Sequence, residues 1–251
     1  MKKLCGKTIL ITGSGRGIGE SVARSLAADG AQVILHGRKL NGLEELADNF
    51  EFFGYLRPIV TCLDLSSTTK KSCDDLAEFI KLKAQKLDGI VFNAAIFFGL
   101  RSFETMSVSE LDIAYNINIR SNVLLLQSLL PMIKASEAGR LLFTSSIVGH
   151  QAWEGWADYC ITKFATEGLG RLVATEYQGT NIRTNIIDPG KLRTEMRAAA
   201  MPDEDPMTLP EPKEIMPIYN FLMSDDCHDV NGRVINARGF LNDGEYRHYI
   251  V

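Results

Sequence analysis

The sequence predicts a doubly wound α/β fold, a parallel sheet with helices on both faces. Three observations predict it. Short apolar runs alternate with amphipathic stretches along almost the whole chain, a glycine-rich loop follows the first run, and no repeat or low-complexity linker interrupts the alternation. With 251 residues, 45% apolar and 23% charged, the chain suits one packed domain. That single domain is expected over residues 1–239, with 240–251 as a C-terminal tail.

The apolar runs at residues 8–12, 32–36, 59–63, 90–92, 141–144 and 182–187 read as buried strands. Between the first two, Ile18, Val22, Ala23, Leu26 and Ala27 form one helical face, and Gly30 stands where a helix stops. Strands of this kind are joined by right-handed crossovers. Residues 111–130 are apolar on several faces, so that helix needs cover on more than one side, and a subunit contact is one such cover. Pro202, Pro206, Pro210 and Pro212 crowd a stretch without periodicity, which reads as a loop over the sheet's carboxyl edge.

Several functions are set aside by composition. The formal net charge of -4 comes with no basic run, so no phosphate-neutralising face for nucleic acid is expected. The apolar run at 8–11 is too short for a signal segment or a membrane span. Five scattered cysteines without C-x-x-C spacing suggest neither a disulfide framework nor a zinc site, and a reduced, cytoplasmic protein fits them. Asp225, Asp226, His228 and Asp229 match no calcium loop and read as a solvated turn, so no metal is expected.

Thr12-Gly13-Ser14-Gly15-Arg16-Gly17-Ile18-Gly19 joins the first strand to the first helix. In that context glycines allow a tight turn and close backbone approach to a pyrophosphate, which the free N–H groups and dipole of the helix N-terminus attract. The strand-to-helix context is that of a Rossmann dinucleotide site, although the spacing is T-G-x-x-x-G-x-G and not the standard G-x-G-x-x-G. In such sites a carboxylate at the end of the second strand holds the ribose hydroxyls of NAD, whereas a nearby arginine accommodates the 2'-phosphate of NADP. Here that strand ends His36-Gly37-Arg38-Lys39, with no carboxylate, and Arg16 lies in the glycine loop, so NADP(H) is favoured over NAD(H).

Tyr159 and Lys163 are spaced i, i+4, on one helix face. A free phenol with a pKa near 10 is a poor base at neutral pH, and a neighbouring cation favours its phenolate. Lys163 and an oxidised nicotinamide would supply that field. Tyr159 would then donate a proton to a carbonyl oxygen during reduction, or accept one from an alcohol.

These features together resemble the short-chain dehydrogenase/reductase family, over about residues 6–239. Gly13, Gly17 and Gly19 stand at that family's T-G-x-x-x-G-x-G positions, and Ser146 precedes Tyr159 at the spacing of its Ser…Y-x-x-x-K signature. The segment from Glu110 to Asn118 matches the helix whose asparagine completes a catalytic tetrad, and selects Asn118 over Asn116. Asn93-Ala94-Ala95 stands where the family has N-A-G, Asp188-Pro189-Gly190 with Thr194 matches its P-G motif, and Asn236-Ala237-Arg238-Gly239 replaces its closing D-G-G. The stretch from Thr144 to Gly168, with Met196-Arg197-Ala198 and 203–206, looks most like the bacterial YciK-type branch.

The resemblance implies a catalytic set of Asn118, Ser146, Tyr159 and Lys163. In it Ser146 holds the developing alkoxide, and Asn118 holds a helix kink and a water that relays protons through Lys163. It implies cofactor contacts at Gly13, Ser14, Arg16, Gly17, Ile18, Gly19, Arg38, Asp64, Leu65, Asn93, Ala94, Tyr159, Lys163, Pro189, Gly190, Leu192 and Thr194, with Asp64 at the adenine. It also implies a homotetramer or homodimer.

The loops at the carboxyl edge nominate Ile96, Phe97, Phe98, Phe103, Trp153, Trp156, Leu192 and Met196 as substrate lining. They are mostly apolar, which favours an apolar or acyl carbonyl substrate, although such residues are also ordinary core. Arg101 or Arg193 could receive an anionic group, or simply be solvated. The expected activity is NADP(H)-dependent hydride transfer between nicotinamide and a carbonyl or secondary alcohol, with 3-oxoacyl thioester reduction as one specific version. The rival is a sensor or interaction protein that binds NADP(H) in the same fold without turnover.

Overall fold

The computed structural model describes residues 2–239. The tail expected over 240–251 lies outside them. Seven parallel strands form one sheet in the order β3-β2-β1-β4-β5-β6-β7: β1 Thr8–Thr12, β2 Gln32–Gly37, β3 Ile59–Cys62, β4 Gly89–Phe92, β5 Arg140–Thr144, β6 Arg183–Asp188 and β7 Val234–Asn236. The first six fall on the apolar runs. β7 is three residues long, too short to show a period of its own, and it forms by pairing with β6.

The connecting helices are α1 Gly17–Ala28, α2 Leu40–Phe52, α3 Lys70–Ala84, α4 Val108–Tyr115, α5 Ser121–Ala135, α6 Ala157–Glu176, α7 Glu195–Ala200 and α8 Met216–Met223. Two apolar cores sandwich the sheet. α1, α2 and α8 pack with Ile9, Ile11, Val33 and Leu35 on one face. α3, α5 and α6 pack with Leu10, Ile34, Ile90 and Phe143 on the other. Alternate strand residues enter opposite cores, so the strands are buried on both faces and carry no polar stripe.

Two expectations are refined. The apolar stretch at 111–130 is not one uniform helix: a π-helical segment, Asn116–Arg120, separates α4 from α5. The proline-crowded stretch holds 3-10 turns at Pro206–Thr208 and Pro212–Ile215, the latter leading straight into α8. Proline at the first position of each turn costs no hydrogen bond, so prolines that deny a long helix still start short ones.

Neighbouring strands β1 and β4 send their connections to opposite faces, which opens a crevice beyond their carboxyl ends. The candidate site is built there.

Candidate active site at the carboxyl edge of the sheet

The glycine loop leaves β1 directly above this crevice. Gly13 has φ +66°, and a side chain there would bring its Cβ within 2.9 Å of Ala94 Cα; one at Gly19 would meet Asn93 Nδ2 at 2.6 Å. Both positions therefore require glycine. The Thr12 hydroxyl accepts the N–H groups of Asn93 and Ala94 at 3.0 Å each, and Asn93 Nδ2 donates to Thr12 O at 3.1 Å. These bonds clamp the loop after β4 against the glycine loop. Ala95 has a negative φ, since Gln85 is the one non-glycine residue with positive φ among those described, so its methyl imposes no strain.

The other expected cofactor contacts arrange themselves around this cradle. Ser14 is fully buried: its N–H and hydroxyl donate to His36 O, and the hydroxyl accepts His36 N–H at 2.9 Å, so Ser14 pins the loop to β2. Ile18 packs on the first core, Leu192 lies within it, and Leu65 lies within the second. Asp64 caps a short turn, its carboxylate accepting the Ser66 N–H and hydroxyl, which together hold it below the usual carboxylate range with help from Arg38. Arg38 is exposed and forms no ion pair among the described residues. Arg16 pairs with Glu195 at the start of α7, and Gly17 faces Thr194, so the chain after Pro189-Gly190 folds over the glycine loop. Thr194 caps α7 by accepting Arg197 N–H.

α6 carries the titratable pair. Gly170 lets this helix approach β6 closely, because a Cβ there would lie 2.7 Å from Ile186. Two turns earlier Lys163 is 3% exposed, its Nζ donating to Thr144 O at 2.7 Å and lying 5.3 Å from the centroid of the Tyr159 ring. Burial pulls Lys163 down to about 8. Tyr159 is also buried and is pushed above the ordinary phenol value, chiefly by desolvation.

Asn118 sits in the π-helical segment and is buried. Its Nδ2 donates to Thr162 Oγ1 at 3.0 Å and to Ile96 O, while its Oδ1 accepts Ile96 N–H at 2.9 Å. Thr162 in turn donates to Tyr159 O. Asn118 O accepts from Asn122 Nδ2 at 2.7 Å. A wide turn exposes carbonyls that an α-helix would consume, and polar side chains satisfy them here. Ser146 precedes the turn Ile147–Gly149 in extended backbone, and its side chain caps nothing. Its neighbour Ser145 donates to the buried Glu167 Oε1 at 2.8 Å, and that oxygen is 2.9 Å from His150 Nδ1.

The structure thus brings Asn118, Tyr159 and Lys163 into one hydrogen-bonded and electrostatic unit, with Ser146 on the adjoining loop. Thr162, Ser145, His150 and Glu167 complete its support and were missed by sequence reasoning. Thr162 lies inside the Y-C-I-T-K segment, where the helical repeat puts it beside Tyr159. The others have no comparable signal.

Aromatic rings wall the pair. Phe97 stacks on Trp156 at 5.2 Å and meets Tyr159 edge-on at 5.5 Å. Phe103 is 79% exposed, and Trp153 and Met196 lie at the surface. Arg101 pairs with Glu110 and Arg193 with Glu211, so neither guanidinium is free to take an anion without giving up a partner. Asp225 and Asp226 pair with Lys7 and Lys3. No helix among the described residues is long and apolar enough to cross a membrane.

A family model described as short chain dehydrogenase matches residues 7–205. The chain is 38% identical to the oxidoreductase YciK of Escherichia coli (strain K12), covering 92% of each. It is 29% identical to the 3-oxoacyl-[acyl-carrier-protein] reductase FabG of Rickettsia felis, covering 95% of this chain and 98% of that one. A short chain dehydrogenase of Shigella flexneri, crystallised with NADP, superposes with a TM-score of 0.91 at 39% identity, covering 94% and 99% of the two chains.

Proposed function

The chain belongs to the short-chain dehydrogenase family of oxidoreductases, and from that membership we propose that it reduces an apolar or acyl carbonyl compound with NADPH, through Tyr159, Lys163, Ser146 and Asn118. The observation that carries this reading is the buried Tyr159–Lys163 pair, set at the carboxyl edge of the sheet beside the glycine loop.

The residues fit a dinucleotide. The Gly13–Gly19 loop and the N-terminus of α1 would hold the pyrophosphate, Asp64 and Leu65 the adenine, Asn93 and Ala94 the adjoining ribose, and Pro189, Gly190 and Thr194 the nicotinamide. Arg38 and Arg16 favour a 2'-phosphate over bare ribose hydroxyls, since no carboxylate stands at the end of β2. The bound nicotinamide supplies or receives the hydride. Tyr159 gives its hydroxyl proton to the carbonyl oxygen as the carbon receives hydride, and the product is a secondary alcohol. Ser146 donates a hydrogen bond to the same oxygen while negative charge develops on it. Lys163, held by its hydrogen bond to Thr144 O with its ammonium over the Tyr159 ring, stabilises by its field the phenolate left when Tyr159 gives up its proton. Asn118 fixes the wide turn and, through Thr162, the backbone of Tyr159.

Phe97, Trp156 and Ile96 favour an apolar or acyl substrate, and the name of the Rickettsia relative points to 3-oxoacyl thioesters as the first class to try. Exposed Ile161, Phe164 and Leu172 lie along one side of α6 and support a homodimer or homotetramer. The free cysteines suit a reducing, cytoplasmic setting.

The test follows nicotinamide oxidation by wild type and Tyr159→Phe, with NADPH and NADH, across acetoacetyl thioesters, ketones, quinones and sugars. Turnover of one class with NADPH is expected, falling by about 10²–10⁴ in Tyr159→Phe while NADPH still binds. Equal turnover in the variant would refute the assignment.

A further inference from the structure

Asp188 ends β6 and is 2% exposed. Strand alternation puts its side chain on the face of Ile186, the face against which Gly170 of α6 packs. Glu167 and Lys163 lie one and two turns before Gly170, toward the carboxyl edge, and so come over the end of the strand where Asp188 sits. Two loops converge on its carboxylate. The Gly190 N–H donates to Oδ1 at 2.9 Å, and the Ile147 N–H reaches it from the turn that follows Ser146.

We propose that Asp188 is a positioning residue of this site: it ties the Ser146 loop to the Pro189–Gly190 turn and acts on Tyr159 and Lys163 by its charge, biasing the pair toward carbonyl reduction. The proposal rests on the oxidoreductase reading of that pair. Asp188 itself neither gives nor takes a proton in the reaction. Reduction needs Tyr159 with its proton; oxidation of an alcohol needs the phenolate. A carboxylate nearby favours the ammonium form of Lys163 and the phenol form of Tyr159, and both groups respond to Asp188 in that direction. The titratable groups around Asp188 are Tyr159, Lys163 and Glu167 on α6, His150 on the loop after β5, and Tyr219 on α8. Burial raises the carboxyl of Asp188, while His150 and the two amides oppose that rise.

Asp188→Asn keeps the size and an acceptor oxygen and removes the charge. The ultraviolet phenolate band, taken as the difference between each protein and its Tyr159→Phe counterpart, reads ionisation of Tyr159 without substrate or cofactor. Its onset is expected at least about one pH unit lower in Asp188→Asn than in wild type. Asp188→Glu, which keeps the charge, is expected to keep the wild-type onset. An unchanged onset in Asp188→Asn, including no phenolate in either protein before alkaline unfolding, overturns the proposal, as does an equal fall in the Asn and Glu variants. Asp188→Ala, which also cuts the tie to Gly190, is expected to weaken NADPH binding about tenfold relative to Asp188→Asn in a fluorescence titration, and equal affinities overturn the tie. None of these readings requires turnover, so loss of the oxidoreductase assignment would show separately, as turnover retained by Tyr159→Phe.

Discussion

The Lys163 ammonium lies 5.3 Å from the centroid of the Tyr159 ring, yet gives its hydrogen bond to Thr144 O. On the proposed mechanism Lys163 therefore acts on the phenol by its field, from one helical turn away, and not through a direct hydrogen bond. Burial lowers Lys163 to about 8 and raises Tyr159, so on the same mechanism an oxidised nicotinamide would add to the positive field that favours the phenolate.

Cofactor choice is expected to turn on Arg38. Arg38→Asp places a carboxylate against the 2'-phosphate and should weaken NADPH relative to NADH by at least about tenfold. Glu195→Gln, which frees Arg16 from a pair exposed at both ends, should change NADPH affinity by less than about fivefold. Fluorescence titrations with both cofactors check each value.

His36 is expected to make stability depend on acid. It is 1% exposed, neither ring nitrogen has a hydrogen-bond partner among the described residues, and burial lowers it to about 4. The folded value lies below the unfolded one near 6.5, so the unfolded chain binds the extra proton between them, and stability is lost as pH falls through that window. The full loss is roughly 3 kcal/mol at the acid end. Thermal melts of wild type and His36→Leu should diverge from pH 6.5 downward, with the leucine variant the more stable; parallel curves would remove His36 as the cause.

Two glycine-to-alanine changes should act in opposite directions. Gly13→Ala forces a Cβ against Ala94 at a positive φ, and loss of NADPH binding with a marked fall in Tm is expected. Gly42→Ala in α2 meets no atom within 4 Å, and should raise stability by about 0.5–1 kcal/mol while leaving NADPH binding alone. Calorimetry and titration of the same preparations separate the two.

The exposed side of α6 should carry self-association. Phe164 is 44% exposed between Ile161 and Leu172, and Phe164→Glu is expected to shift the sedimentation coefficient toward a single chain. A wild type that already sediments as one chain would leave this face without that role.

The sequence by itself determined the alternation that makes a parallel sheet, because strands buried on both sides must be apolar throughout, as in residues 8–12 and 141–144. It also determined the glycine loop and the Tyr159–Lys163 spacing, since close backbone approach and helical repeat are properties of a few adjacent residues. The tertiary structure decided what depends on distant partners. β7 exists because β6 offers an unpaired edge, and the π-helical turn at Asn118 is held by Ile96 and Thr162, far away in the chain. Ser14, counted with the ligand contacts, turned inward because His36 supplies both a donor and an acceptor for it. Glu167 and His150 carry no local pattern, and Asp188 enters one only as the residue before Pro189-Gly190: the three gather under Lys163 because Gly170 seats α6 on β6, and a buried charge shows its importance only once its neighbours are known.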